Sequence, residues 1–288
     1  MEHQFVVSGF GDEISAEPRE QLAVLRSLGI THLDLRGAQG RNVLDFGDDD
    51  VARLRSELAS AGARVAMVAS PIGKSDIERE AAYEEGRLET AIRLADAFET
   101  PLIRVFSFYL PNTDRARCRE EVVARLSRWA ARAEATGTTL LLENELNLWG
   151  ERPEQCAELL AAVDSEHLRM TLDTGNFASI GVASSDAAYP LLRPWLAHCQ
   201  IKDVRTADRA VVAPGEGDGQ IPELLAALVR AGYRGYLSLE PHLALAGKAG
   251  GFSGPELFGQ AARALARIVE RVEREAAAND GGSSTDRG

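Results

Sequence analysis

A single α/β domain closed into a (β/α)8 barrel is what this sequence predicts, and three observations carry the prediction. Eight short apolar runs alternate with longer amphipathic segments along the 288 residues. No linker interrupts the alternation, and a one-domain barrel needs about this length. The turn GFGDEIS after the first run has only one loosely spaced pair of glycines, not the Gly-rich turn that a doubly wound open sheet usually shows there.

The runs are FVVSGF (5–10), HLDLR (32–36), RVAMVAS (64–70), LIRVFSF (102–108), TLLLENE (139–145), RMTLDTG (169–175), CQIKDV (199–204) and YLSLEPH (236–242). Each is short, apolar and bounded by polar or turn residues, as strands covered on both faces should be. Between the first two, Leu22, Leu25 and Leu28 recur at helical spacing; Val122, Val123, Leu126 and Trp129 do so before the fifth, and Leu224, Leu225, Leu228 and Val229 before the eighth. Gly29, Gly62, Gly137 and Gly232 each follow a helical run by the step expected of a C-terminal stop, while Ser15 and Asp114 stand where N-caps belong. Residues 1–276 are therefore expected to form one domain, and the polar, Gly/Ser-rich residues 277–288 a disordered tail.

Composition narrows the function. The formal charge of −12 argues against nucleic acid and against an anionic membrane surface, both of which draw affinity from clustered Lys and Arg. Cys118, Cys156 and Cys199 are odd in number and widely spaced, as free thiols are. With no signal-peptide pattern at MEHQFVVSGF and no long apolar run, a cytoplasmic location is expected.

Active sites in such barrels lie at the C-terminal ends of the strands. Polar residues there include Asp12, Glu13, Arg36, Lys74, Glu143, Glu145, Asp173, Asn176, Gln200, Lys202, Asp203, Glu240 and His242. Glu143, Asp173, Gln200 and Glu240 close four consecutive strands, each inside an otherwise apolar run. Three carboxylates converging on one mouth repel one another unless a cation neutralises them, so a divalent metal is the economical explanation. His198 lies two residues before Gln200, one layer deeper, and reads as a structural histidine rather than a ligand.

The motifs LLENE, LDTGN, QIKD and SLEPH resemble those of the xylose isomerase-like TIM barrels, the sugar phosphate isomerase/epimerase family, along essentially the whole barrel. The resemblance implies a divalent ion held by Glu143, Asp173, Gln200 and Glu240, with Glu143 and Glu240 as paired acid and base. Many members carry His where this chain has Gln200, although the hydroxypyruvate isomerase-like branch has Gln; many also have His where Asn176 stands. Three carboxylates and an amide oxygen are all hard donors, which favours Mn2+ or Mg2+ over Zn2+. The implied reaction is 3-epimerisation of a ketose or aldose–ketose isomerisation through a metal-stabilised enediolate.

The basic residues comprise 29 arginines and only three lysines, Lys74, Lys202 and Lys248, all in or beside loops that follow strands. With Arg36 and Arg205, and with Asn176 and His242, these are the expected substrate contacts. Phe10, Phe106, Phe108, Tyr109 and Trp149 are candidate pocket walls. Gly215, Gly217 and Gly219 occupy a phosphate-site position, but Glu216 and Asp218 interleave them, so a turn is expected there instead. The expected partner is a small sugar or sugar derivative, and the sequence leaves homo-oligomerisation open. Rival readings are a lyase acting on 3-oxo-glycosides, an apurinic endonuclease, whose zinc site needs more histidines than the five present, and a non-catalytic sugar-binding barrel.

Overall fold

A computed structural model describes residues 4–111, 115–244 and 253–282. The eight barrel strands are β1 (Val6–Phe10), β2 (His32–Leu35), β3 (Arg64–Ile72), β4 (Leu102–Val105), β5 (Thr139–Glu143), β6 (Leu168–Asp173), β7 (Leu196–Ile201) and β8 (Tyr236–Leu239). Each lies parallel beside its predecessor, and β1 pairs with β8 from Val6↔Tyr236 to Gly9↔Leu239 to close the barrel. Closure leaves no free edge, and it follows from right-handed crossovers that return every strand beside the last.

The outer layer consists of α1 (Pro18–Ser27), α2 (Asp48–Ala61), α3 (Ala81–Ala97), α4 (Arg115–Thr136), α5 (Pro153–Val163), the short α6 (Thr174–Ser179) and α7 (Tyr189–Leu192), α8 (Ile221–Arg230) and α9 (Gly254–Gly282). The main core lies between these helices and the outer faces of the strands, where Leu25, Leu88, Leu126, Leu159, Leu224 and Leu265 are buried. A separate apolar plug of Phe10, Met67, Ala69 and Leu141 fills the barrel interior beneath the mouth.

Several local expectations shift by a few residues, each for a physical reason. Gly29, Gly62, Gly137 and Gly232 all have positive φ, as helix stops should. The residue capping α1 is Glu17, and Ser15 instead accepts a 3.1 Å bond from the Glu17 backbone N–H. Asp114 lies outside the described residues. The sixth run stops being a strand at Asp173 because the Asp173 carboxylate caps α6, accepting from Asn176 N at 2.7 Å. The seventh divides: beyond Ile201 the chain leaves the barrel, and Asp203–Arg205 pairs antiparallel with Ala210–Val212. The last helix continues to Gly282, into the stretch read as tail, and residues 283–288 lie outside the described set. Among the described residues no helix is long and apolar enough to cross a membrane.

Candidate active site at the barrel mouth

Four adjacent strands deliver their polar ends to one point. Glu143 closes β5, Asp173 closes β6, Gln200 stands one residue before the end of β7, and Glu240 follows β8 directly. Parallel register puts all four on the inward face: Asp173 pairs with Gln200, Glu143 with Thr171 two residues before Asp173, and Gln200 with Ser238 two residues before Glu240, so each is offset from its neighbour by an even number of residues. All four are buried. The Gln200 amide nitrogen donates to Asp173 Oδ2 at 2.8 Å, to Glu143 Oε1 at 3.3 Å and to Glu240 Oε2. Glu143, Asp173 and Glu240 each place one carboxylate oxygen within 4.8 Å of the others.

Four permanent cations pair with this acidic centre. Lys202 Nζ lies 2.9 Å from Asp173 and 3.6 Å from Glu240; Arg104 Nη1 donates to Glu143 at 3.1 Å. Arg36 takes Asp12 at 2.7 Å, Glu13 at 3.0 Å and Glu240, and Lys74 takes Glu145. Six carboxylates (Asp12, Glu13, Glu143, Glu145, Asp173, Glu240) against these four cations leave two formal negative charges in the network. A divalent cation would relieve that excess, and Gln200, whose Oε1 is a buried acceptor without a hydrogen-bond partner, would complete an all-oxygen donor set with Glu143, Asp173 and Glu240 once its amide turns to present Oε1 in place of Nε2. The residues present therefore fit a hard divalent ion.

The surroundings make the carboxylates unequal. Burial pushes Glu143 up to about 7, against the pull of Arg104, and burial also raises Asp173 against Lys202. Burial would raise Glu240 too, but His242, Lys202 and Arg36 outweigh it and hold its carboxyl below the ordinary range. Burial would lower Lys202, yet Asp173, Glu240, Glu145 and Glu143 keep it an ammonium ion.

The other expected site residues divide. Lys74 reaches the mouth over the Phe106 ring, 4.4 Å from its centroid. Asn176 braces Glu143 (3.4 Å) and the Asn144 carbonyl (2.9 Å) from within the wall. His242 binds Glu13 at 2.7 Å and faces Glu240 at 3.6 Å. Arg205 is not brought in: it rides the outer hairpin, exposed and paired with Asp208 at 2.9 Å. Lys248 lies outside the described residues. His198 is fully buried against Thr171 at 2.6 Å and held neutral by burial, which lowers its pKa to about 3, so it is structural as expected. Phe10 and Phe106 lie under the cations Arg36, Arg104 and Lys74, whereas Phe108 packs against Trp129 in the outer core.

The glycine loop has its own anion. Asp203 accepts from the backbone N–H of Gly215 (2.8 Å), Gly217 (3.0 Å), Gly219 (2.9 Å) and Val204 (3.0 Å). The nest that could have cradled a phosphate is filled by a carboxylate of the same chain. Sequence reasoning missed Arg104, whose signal was a charge at an inward position inside the apolar run LIRV, and the clamp formed by Asp12 and Glu13.

The model of one protein family, described as xylose isomerase-like TIM barrel, matches residues 22–268. This chain belongs to the xylose isomerase-like TIM barrel family. A curated family relative, the 3-dehydroshikimate dehydratase of Bacillus anthracis, is 24% identical over 205 residues, 67% of this chain and 72% of the relative. Among solved xylose isomerase-like barrels and their neighbours, a D-tagatose 3-epimerase-like protein superposes with TM-score 0.75 at 17% identity, covering 94% of this chain and 100% of that one. A Mycobacterium smegmatis member, solved in complex with magnesium, gives TM-score 0.71 at 15% identity over 94% and 99% of the two chains.

Proposed function

We propose that this chain is an enzyme that moves a proton beside the carbonyl of a small polyhydroxylated substrate, as a ketose 3-epimerase or an aldose–ketose isomerase. The observation that carries the proposal is the meeting of Glu143, Asp173 and Glu240 around Gln200 at one barrel mouth, with Glu143 and Glu240 in opposite electrostatic environments. Glu143, Asp173, Gln200 and Glu240 would hold a divalent ion, Mn2+ or Mg2+ in preference to Zn2+ because every donor is a hard oxygen. When bound, that ion supplies the polarisation that acidifies the C–H next to the carbonyl.

The chain's own residues do the rest. Glu143, pushed up to about 7, is matched to take or give a proton near neutral pH, whereas the cations around Glu240 keep it ionised and make it the weaker base of the pair. Lys202 presents an ammonium donor to an oxygen that gains charge. Phe10 and Phe106 close the floor and exclude water. The substrate-facing groups are Lys74, Lys202, Arg36 and His242, while Asn176 braces Glu143 from within the wall.

One observation favours a second reading within the same chemistry, a lyase that expels a group β to the carbonyl, as with 3-oxo-glycosides: the curated relative is a dehydratase. Ketoses, ketose phosphates, 3-oxo-glycosides and 3-dehydroshikimate, each with Mn2+ in deuterated water, test both. Turnover with deuterium at the carbon next to the carbonyl, lost in Glu143→Gln and Glu240→Gln, is expected for isomerisation; release of the leaving group selects the lyase. Turnover that survives both substitutions contradicts either reading.

A further inference from the structure

Asn144, one residue past Glu143, is fully buried and takes no part in the chemistry proposed above. Its Oδ1 accepts from the Asp173 backbone N–H at 2.8 Å, and its Nδ2 donates to the Asp173 carbonyl at 3.0 Å. A side-chain amide thus pairs with both backbone groups of one residue, as a neighbouring strand would, and only one orientation of the amide satisfies an N–H and a C=O together. The reason lies in the ladder. β5 pairs with β6 as far as Glu143↔Thr171, two residues short of Asp173. Beyond Glu143 the chain leaves the barrel wall, and the Glu145 N–H goes to the Gly150 carbonyl instead. Without Asn144, the Asp173 N–H and C=O would be buried with nothing to bond on that side.

The bonds close a circuit. Asn176 Nδ2 donates to the Asn144 carbonyl at 2.9 Å and to Glu143 Oε1 at 3.4 Å, and the Asn176 backbone N–H donates to Asp173 Oδ1 at 2.7 Å. Asp173 is therefore held at its backbone from the β5 side and at its carboxylate from α6, which leaves Oδ2 to face Gln200 at 2.8 Å and Lys202 at 2.9 Å. The same device recurs one strand on. β6 pairs with β7 as far as Asp173↔Gln200, and beyond that point Thr174 Oγ1 accepts from the Lys202 backbone N–H at 3.2 Å and donates to the Lys202 carbonyl at 2.6 Å. In both places the residue after a mouth carboxylate fixes the backbone of a mouth residue on the next strand.

We propose that Asn144 is a positioning residue: it locks the Asp173 backbone where β5 no longer can, so that Oδ2 stays aimed into the donor set of Glu143, Gln200 and Glu240. The role toward a divalent ion rests on the reading of the site given above, whereas the backbone lock does not. Partners that orient a ligand in this way change metal affinity by roughly 10- to 100-fold when removed.

The test is Asn144→Leu, which keeps a similar shape and removes both bonds, set beside Leu88→Ala in the outer core, which lowers stability without touching the mouth. Amide hydrogen exchange in the presence of chelator, followed by NMR, reads the lock without any metal. Relative to the Leu172 N–H, the Asp173 N–H should exchange roughly tenfold faster in Asn144→Leu, and the ratio should keep its wild-type value in Leu88→Ala. Calorimetric titration with Mn2+ should then give a Kd raised roughly 10- to 100-fold in Asn144→Leu and unchanged in Leu88→Ala. An unchanged exchange ratio in Asn144→Leu overturns the proposal, as does a Mn2+ affinity equal to that of the wild type. If Asn144→Leu does not fold, Asn144→Ala, which likewise makes neither bond, is held to the same two outcomes. A wild-type protein that takes up no Mn2+ would reject the ion reading and with it this role for Asn144, and a raised exchange ratio would then leave the backbone lock alone standing.

Discussion

Replacing Arg104 with Met removes the cation that the sequence hides inside β4, and the structure sets the size of the effect. The guanidinium is 5% exposed. It donates to Glu143 Oε2 at 3.1 Å, to the Ala69 carbonyl at 3.1 Å and to the Ser70 carbonyl at 3.3 Å, and it lies 5.3 Å and 5.0 Å from the centroids of the Phe10 and Phe106 rings. Met fills much of the volume but leaves Glu143 buried without its counter-ion, a change worth about 3–5 kcal/mol when one member of a buried pair is deleted. Most of that cost is the stranded charge, so it should shrink to about 1–2 kcal/mol, the two unpaired carbonyls, in a Glu143→Gln background. Burial pushes Glu143 up to about 7, so in the metal-free protein the penalty of Arg104→Met should be larger at pH 8 than at pH 5.5. Urea unfolding of the four proteins of this cycle, at both pH values and with chelator present, measures it. Additive single effects at pH 8, or a penalty independent of pH, would refute the reasoning.

Asp34 is fully buried with Ser238 as its partner at 2.6 Å, and burial lifts its pKa from 3.8 to about 6. A carboxyl raised on folding contributes stability that is complete below about pH 4 and is lost as pH climbs through 6, about 3 kcal/mol for this shift; Asp34→Asn should remove that slope in urea midpoints between pH 4 and 7. Asp203→Asn turns an NH2 group toward two of the four N–H donors in the glycine nest and should cost about 2–4 kcal/mol in the same assay, with a loss below about 0.5 kcal/mol contradicting the role given to that carboxylate. Gly175→Ala would set a methyl carbon 2.5 Å from Lys202 Cγ and 2.8 Å from its Cβ and Cε, forcing the lysine off Asp173; turnover should fall at least about tenfold while the unfolding temperature moves only a few degrees, and unchanged turnover would show that Lys202 is not needed in that position.

The barrel was legible because its signal is repeated: eight apolar runs, each stopped by polar residues, leave little freedom once right-handed crossovers are imposed. The acidic centre was legible for a related reason, since Glu143, Asp173, Gln200 and Glu240 all fall within one residue of the end of their strands. The cations were harder. Arg36 and Lys202 sit at strand ends and were found, but Arg205, two residues past Asp203, was drawn outward when the chain left the barrel to form a hairpin. Arg104 was missed because inward direction inside a short strand depends on register, which no single run reveals. Glu13 and His242 are 229 residues apart, and only closure of β1 onto β8 makes them neighbours.

The central claim is that Glu143, Asp173, Gln200 and Glu240 bind one divalent ion. Titrating metal-free protein with Mn2+ in a calorimeter tests it without knowledge of the substrate, and thermal unfolding adds a second reading, since about a hundredfold excess over Kd should stabilise the fold by about 2.7 kcal/mol. The account predicts one ion per chain in the wild type and none in the Asp173→Asn/Glu240→Gln double variant. A wild-type protein that takes up no Mn2+ or Mg2+, or a double variant that binds it as well as the wild type, would contradict it.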